Sequence, residues 1–339
     1  MSSCSASVVF RTIRTPAAIL IGCILAHRPV SAQQVVPPHQ PNKVTQLFGL
    51  PDIPRNSHGA LSVTDATVAF DSPHGEAELR RADIISVTPG SEPGEIWGTT
   101  GQLIRMALPY GGGKVAAQIM RKKRNFLTLE YRDEKGAYHG AVFSTDAKTA
   151  FVNDVKSLDQ NSSEPVESQA ELSDHSSLVC EGETSGPAAV RLMRIRVDDS
   201  VALPAEDRAM IYEDIVRQLS KNQSVGQVFR DGDRGHAAAC APFSVVVAVQ
   251  SFKKGSQVTR AFLGPLGMII AHTSLHYTVS VQDRGGKDIL ERRLRNLELR
   301  DVDSMSITGA VGRSVAKAIK KQHLTEPADK QIANTPQGL

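Results

Sequence analysis

Large aromatic side chains are scarce in this chain of 339 residues, which has one Trp and five Tyr. Little is therefore available for stacking on nucleic-acid bases. Cysteine is also sparse: there are four, and no two stand in a C-x-x-C pair, so a redox or zinc-ribbon motif is excluded. No apolar run reaches the roughly 20 residues that a helix needs to cross a bilayer. A charge excess of one sign is missing too. Lys and Arg number 39 against 36 acids, and Arg11, Arg14 and Arg28 precede the cleavage point argued below, which leaves 36 against 36. A general nucleic-acid binder needs a cationic excess on one face, so that class is set aside. The strings G-x-S-x-G, H-E-x-x-H and G-x-x-x-x-G-K-[ST] are absent as well.

What is present is enough apolar material to build cores. With 40% hydrophobic and 22% charged residues the chain is neither a disordered tail nor a many-span membrane protein, and its length fits about two domains. The N-terminus reads as an address. Arg11 and Arg14 form a basic stretch, Pro16 to Ala26 an apolar run of eleven residues, and Val30-Ser31-Ala32 a small-residue site. Together these make a secretory signal over 1–32, cleaved before Gln33. Leu20-Ile21-Gly22-Cys23 also resembles a bacterial lipobox, in which Cys23 would be acylated. Export to the periplasm, the outer membrane or the extracellular space is expected on either reading. Residues 33–56 are rich in Pro, Gln and Asn, and read as a flexible leader.

Short runs of β-formers then follow one another: Ala60 to Val63, Ala66 to Phe70, Glu76 to Arg80 and Asp83 to Val87. Thr64-Asp65 and Pro73-His74-Gly75 supply turns between them. Phe126 to Arg132 alternates, and Asp133-Glu134-Lys135-Gly136 turns it into Ala137 to Phe143. After this meander Ala147, Phe151, Val155 and Leu158 recur at helical spacing behind a cap at Thr145 or Asp146. The stretches Gly59 to Asp65, Ala82 to Val87 and Phe126 to Tyr131 running on to Ala141-Val142-Phe143 resemble the bacterial pleckstrin-homology-like (PH-like) domains of exported proteins. That resemblance covers 57–160 and implies a β-barrel plugged by a C-terminal helix, without any site. Residues 89–124 depart from it as an insert.

Residues 161–187 are Ser-, Glu- and Asp-rich and read as a linker. In 188–322 the expected order is β-α-β-β-β-β-α, an antiparallel sheet with two helices. Pro204 opens a helix through Ile211, Ile215 and Leu219, and a last helix carries Ile307, Val311, Val315 and Ile319. Val247-Ala248-Val249, Phe252, Gly255, Arg260, Gly264, Gly267, Val279 to Asp283 and Lys287 to Leu290 resemble an uncharacterised family of bacterial envelope proteins, often lipoproteins. The family implies no catalytic residue. The fold class expected overall is α+β, and 323–339 read as a disordered tail.

Gly111-Gly112-Gly113-Lys114 is a phosphate loop in composition only, because Val115 replaces the hydroxyl that would hold magnesium. His272 and His276 stand four apart, but on a strand that separates them by roughly 13 Å, too far for one metal. Asp231 to Gly235 has the spaced acids of a calcium loop without its closing Glu, and reads better as a solvated hairpin turn. Once 1–32 is removed, Cys180 and Cys240 remain. In an oxidising compartment they can pair, closing a loop of about 61 residues worth roughly 4 kcal/mol on the entropic account, or else stay as thiols. Gln102 to Met120 is apolar and Gly-rich and ends in Arg121-Lys122-Lys123-Arg124. This insert either dips into an anionic membrane surface or packs as a helix with its cations in water. The function expected is an exported, non-enzymatic envelope protein acting as a binding or assembly module. A membrane-surface adaptor working through 102–124 is the alternative. No cofactor or metal is expected, and the partner is an envelope protein or a membrane surface rather than nucleic acid.

Overall fold

A computed structural model describes residues 42–95, 121–145, 188–255, 273–298 and 305–321. The first sheet has seven strands: β1 (Asn42–Phe48), β2 (Ser57–Val63), β3 (Thr67–Ser72), β4 (Gly75–Arg80), β5 (Ile84–Glu95), β6 (Arg121–Arg132) and β7 (Tyr138–Thr145). All its pairs are antiparallel, in the order β4-β3-β2-β1-β7-β6-β5. One face buries Val44, Leu61, Val68, Phe70, Leu127, Leu129 and Phe143. The Phe70 and Phe143 rings lie 5.6 Å apart. Their strands are three steps apart in the order, roughly 14 Å in a flat sheet, so the sheet curls around this core.

The second block begins with β8 (Val190–Leu192) and β9 (Arg196–Val197), continues through α1 (Ala205–Ser220), β10 (Val228–Arg230) and α2 (His236–Ala239), then β11 (Phe243–Lys253), β12 (Thr273–Asp283), β13 (Asp288–Glu298) and α3 (Met305–Lys320). Its six strands run β10-β8-β11-β12-β13, with β9 beside β11. The two longer helices form where the apolar spacing predicts. Pro204 is the N-cap of α1, and Ile211, Ile215, Leu219, Ile307, Val311, Val315 and Ile319 are all buried.

Several expectations are corrected. The chain is not an α+β pair of modules headed by a PH-like barrel: among the described residues it is mostly β, with thirteen strands in two sheets and three α-helices. No closed barrel is shown, since β4 and β5 end the first sheet's order, and the helix expected at 145–158 lies outside the described residues except for Thr145. Strand content exceeds the expectation because the hairpins are long. β5 runs through Pro89 and Pro93 to Glu95 and pairs with β6 from Arg121 onward, deep into what reads as an insert. Proline is tolerated there because β5 is an edge strand. Part of the leader is ordered: 42–48 form β1, between β2 and β7. The second sheet is mixed, not antiparallel. β8 pairs in parallel with β10 and β11, and β9 with β11, and parallel neighbours need a crossover, which α1 supplies between β8 and β10. The signal over 1–32, the linker 161–187 and the tail lie outside the described residues. All those that are described belong to one compact unit, His39–Leu339.

Candidate functional site

Helix α1 is buried almost all round, which is unusual for a helix with Glu206, Asp207, Glu213 and Asp214 in its sequence. One face carries Ile211, Tyr212, Ile215 and Leu219 into the core of the second sheet, beneath Val245, Val247, Tyr277 and Val279 and beside Val311 of α3. The opposite face sets Ala209 and Met210 on Phe126 and Val142 of the first sheet. Approach there is close: a Cβ on Gly140 would stand 2.7 Å from the Cβ of Ala209. Tyr138 of β7 joins the second sheet's core, its ring edge-on to Tyr212 at 4.8 Å.

Charged groups fill this seam, and each carboxylate takes donors from elsewhere in the fold. Glu213 receives both Arg230 guanidinium nitrogens, at 2.7 and 2.9 Å, and the Gly140 backbone N–H at 3.2 Å. Arg230 Nη1 also donates to the Tyr138 carbonyl at 3.1 Å. A forked pair of this kind is short and charge-assisted. Burial alone would lower the Arg230 pKa, but the Glu213 carboxylate outweighs it and raises the guanidinium above its ordinary range. Glu130 of β6 is 1% exposed and accepts from Tyr138 Oη at 2.5 Å, Ser86 Oγ at 2.6 Å and Arg208 Nη2 at 2.8 Å. Burial pushes its carboxyl up, yet Arg208 and the two hydroxyls outweigh that and hold it below the ordinary value. The Tyr138 hydroxyl is pushed well up by burial and by Glu130, so it stays a neutral donor. Asp214 accepts from Arg55 at 3.0 Å, from Thr308 at 2.9 Å and from Arg217.

Two turns extend the seam. Tyr138 N donates to Asp231 O at 2.8 Å, and Arg234 N to Lys135 O at 2.9 Å. Asp231 to Gly235 is therefore a docking turn against 133–136 and not a solvated hairpin. Its Gly232 has a φ of +73°, and a Cβ there would strike Arg132 Nη1. His139, stacked on Tyr131 at 5.1 Å and 3.3 Å from Asp133 Oδ2, is held below its ordinary pKa by burial and by Arg230.

The residues singled out from sequence are dispersed. Cys240 caps α2 and is disulfide-bonded; Cys180, its expected partner, lies outside the described residues. The backbone of Arg121, Lys122, Lys123 and Arg124 continues β6, opposite Glu95 to Glu92 of β5, so this run belongs to a strand and not to a helix end. Residues 96–120 lie outside the described residues, as does His272, while His276 is on β12. Among the described residues no three His, Cys, Asp or Glu side chains gather to hold a metal, and no helix is long and apolar enough to cross a membrane. The seam residues Glu130, Tyr138, Arg208, Glu213, Asp214 and Arg230 escape a search for motifs. A second stripe on α1, Glu206, Ala209, Met210 and Glu213 at helical spacing, is the signal that could have found them.

No family model matches the chain, and no curated protein matches it. Among solved structures, 40% of the chain overlays 94% of a subunit of the PelC dodecamer from Paraburkholderia phytofirmans, at 12% identity and a TM-score of 0.30. Another overlay takes in 42% of the chain and 88% of a neuraminyllactose-binding hemagglutinin homolog from Helicobacter pylori, at 11% identity and a TM-score of 0.23. Overlays this loose fix neither fold nor function.

Proposed function

We propose that the chain is an exported, non-enzymatic protein of the cell envelope that acts as a binding or assembly module. The supporting observation is where its buried ionisable groups are spent. Glu130, Glu213 and Asp214 each accept from at least two other elements of the fold, so their charge serves to join the two sheets. The basic, apolar and small-residue succession over 1–32 supports export. Cell fractionation with peptide mapping of the purified protein is the test. The expected result is an N-terminus at Gln33 in the envelope or medium and a non-reduced peptide joining Cys180 to Cys240. Cytosolic protein retaining Met1 would refute export, and an acylated Cys23 would make the protein an anchored one. The membrane-adaptor alternative rests on the basic run 121–124 beside the apolar stretch from Gln102. Salt-sensitive cosedimentation of the mature chain with anionic vesicles, lost when Arg121, Lys122, Lys123 and Arg124 become Gln, would favour it.

A further inference from the structure

Each sheet ends in a strand whose outward charges mirror those of the other. In the first sheet β4 terminates the order and exposes Glu76, Glu78 and Arg80 at alternate positions, hence on one face. In the second, β13 terminates the order and exposes Glu291, Arg293 and Arg295, again at alternate positions. Read antiparallel, with Glu78 opposite Arg293, Glu76 falls opposite Arg295 and Arg80 opposite Glu291. All three cross-strand pairs then join opposite charges on one face. Ala77 falls opposite Leu294 on the other face.

Among the described residues, neither edge has its charges matched by opposite charges on the neighbouring strand of its own sheet. Glu76 lies directly opposite Asp71 of β3, a like-charge pair that destabilises a ladder. Arg293 and Arg295 lie opposite Thr278 and His276 of β12. Arg80 bonds Asp83 at 2.7 Å but keeps its side chain 65% exposed. Charged edges ordinarily prevent strands from pairing, and whether these charges oppose or favour a pairing depends on the partner strand and register. Pairing β13 with another β13 in the register that matches Glu291 to Arg295 sets Arg293 on Arg293, and pairing β4 with β4 so that Glu76 meets Arg80 sets Glu78 on Glu78. In the register that aligns all three charges of each strand, both homotypic pairs meet a like charge at the centre and the mixed pair meets none.

We propose that the β4 edge of one molecule docks on the β13 edge of a second copy of this chain, joining a seven-stranded sheet to a six-stranded one. The contact uses two different patches, so it is heterologous and repeats into a ring or an open chain. It rests on the assembly-module reading and names the partner. The test is sedimentation velocity on the full mature chain over a concentration series. The wild type should associate, and added salt should weaken it. Glu76→Arg with Glu78→Arg, and separately Arg293→Glu with Arg295→Glu, should each weaken self-association about tenfold or more. An equimolar mixture of the two variants should recover it, because each altered edge meets its complement. The substituted side chains are exposed, and circular dichroism checks that both variants fold. A wild-type chain that stays monomeric, or variants that associate like the wild type, would overturn the proposal. A monomer would leave the assembly-module reading to the fractionation test, which does not depend on self-association.

Discussion

The packing of α1 on the first sheet can be tested at one pair of atoms. Gly140 of β7 faces Ala209 of α1, and a Cβ on Gly140 would lie 2.7 Å from the Ala209 Cβ and 3.2 Å from its Cα. Carbon atoms prefer about 3.5–4.0 Å, so Gly140→Ala must push helix and strand apart. Overpacking of this kind costs about 1–3 kcal/mol. Against it stands about 0.4–1 kcal/mol from a stiffer unfolded chain, which leaves a net loss of about 1–2 kcal/mol. Ala209→Gly alone should cost about 1 kcal/mol in helix propensity and a little more for the lost methyl group. In the double variant the 2.7 Å clash is gone and only the milder 3.2 Å approach to the residue 209 Cα is left, so its loss should fall short of the sum of the singles by about 1–2 kcal/mol. Urea unfolding followed by circular dichroism measures all four corners of the cycle. If the two losses add within about 0.5 kcal/mol, as independent sites do, the helix does not sit on β7 as described.

Other outcomes follow from the same seam. Arg230→Met leaves Glu213 buried with, among the described residues, only the Gly140 N–H as a donor and should cost about 3–5 kcal/mol, whereas Arg208→Met leaves Glu130 two hydroxyl donors and should cost less; equal losses in urea unfolding would contradict this ranking. Gln46 is fully buried beside Phe143, and its amide has no hydrogen-bond partner among the described residues, so Gln46→Leu should stabilise by about 1–3 kcal/mol, and a loss in the same assay would count against it. Acid should destabilise in two steps. His139 is depressed from 6.5, so below that pH the unfolded chain binds a proton that the fold refuses, and stability falls until the pH passes the folded value; Glu130, depressed from 4.5, holds its contribution above that value and loses it as pH falls through its folded one. His139→Gln should flatten only the upper step of stability against pH. Proteolysis between Asp159 and Leu178 leaves Cys180 and Cys240 in one fragment, so the nicked chain should stay together under native conditions through packing alone; fragments that elute apart on size exclusion would show that α1 does not bind β6 and β7.

Much of the local structure was legible because single faces repeat at one period. The stripe from Ile307 to Ile319 in α3 and the alternation of Leu275, Tyr277, Val279 and Val281 in β12 each bury one side, so pattern alone places them. β1 was illegible for the opposite reason: its two buried positions are Val44 and Gln46, and an amide at a core position hides the alternation. The parallel pairs of β8 depend on a crossover by α1, and no strand of three residues announces a partner 53 positions away, as Val190 and Phe243 are. The seam was missed because a buried Glu reads as a surface residue until its Arg is known. Glu213 finds Arg230 seventeen positions along, and Glu130 finds Arg208 at 78.

The composition of α1 follows from its position between the two sheets. A helix with one buried face can send its charges to water, but α1 has water at little more than Arg208 and its last turn. An all-apolar helix would satisfy both sheets equally well in many rotations and registers. Glu213 removes that freedom, because turned toward the second sheet's apolar core it would lose Arg230 and the Gly140 N–H together. Glu130 does the same from the first sheet, since Arg208, one turn from the start of α1, reaches it alongside Ser86 and Tyr138. Buried ion pairs add little net stability relative to apolar packing, and their best-attested use is to select one arrangement over its neighbours. That selection lets two sheets of different construction hold a fixed mutual orientation. An assembly built through the strand edges β4 and β13 would rest on the same contacts, since each edge belongs to one of the two sheets.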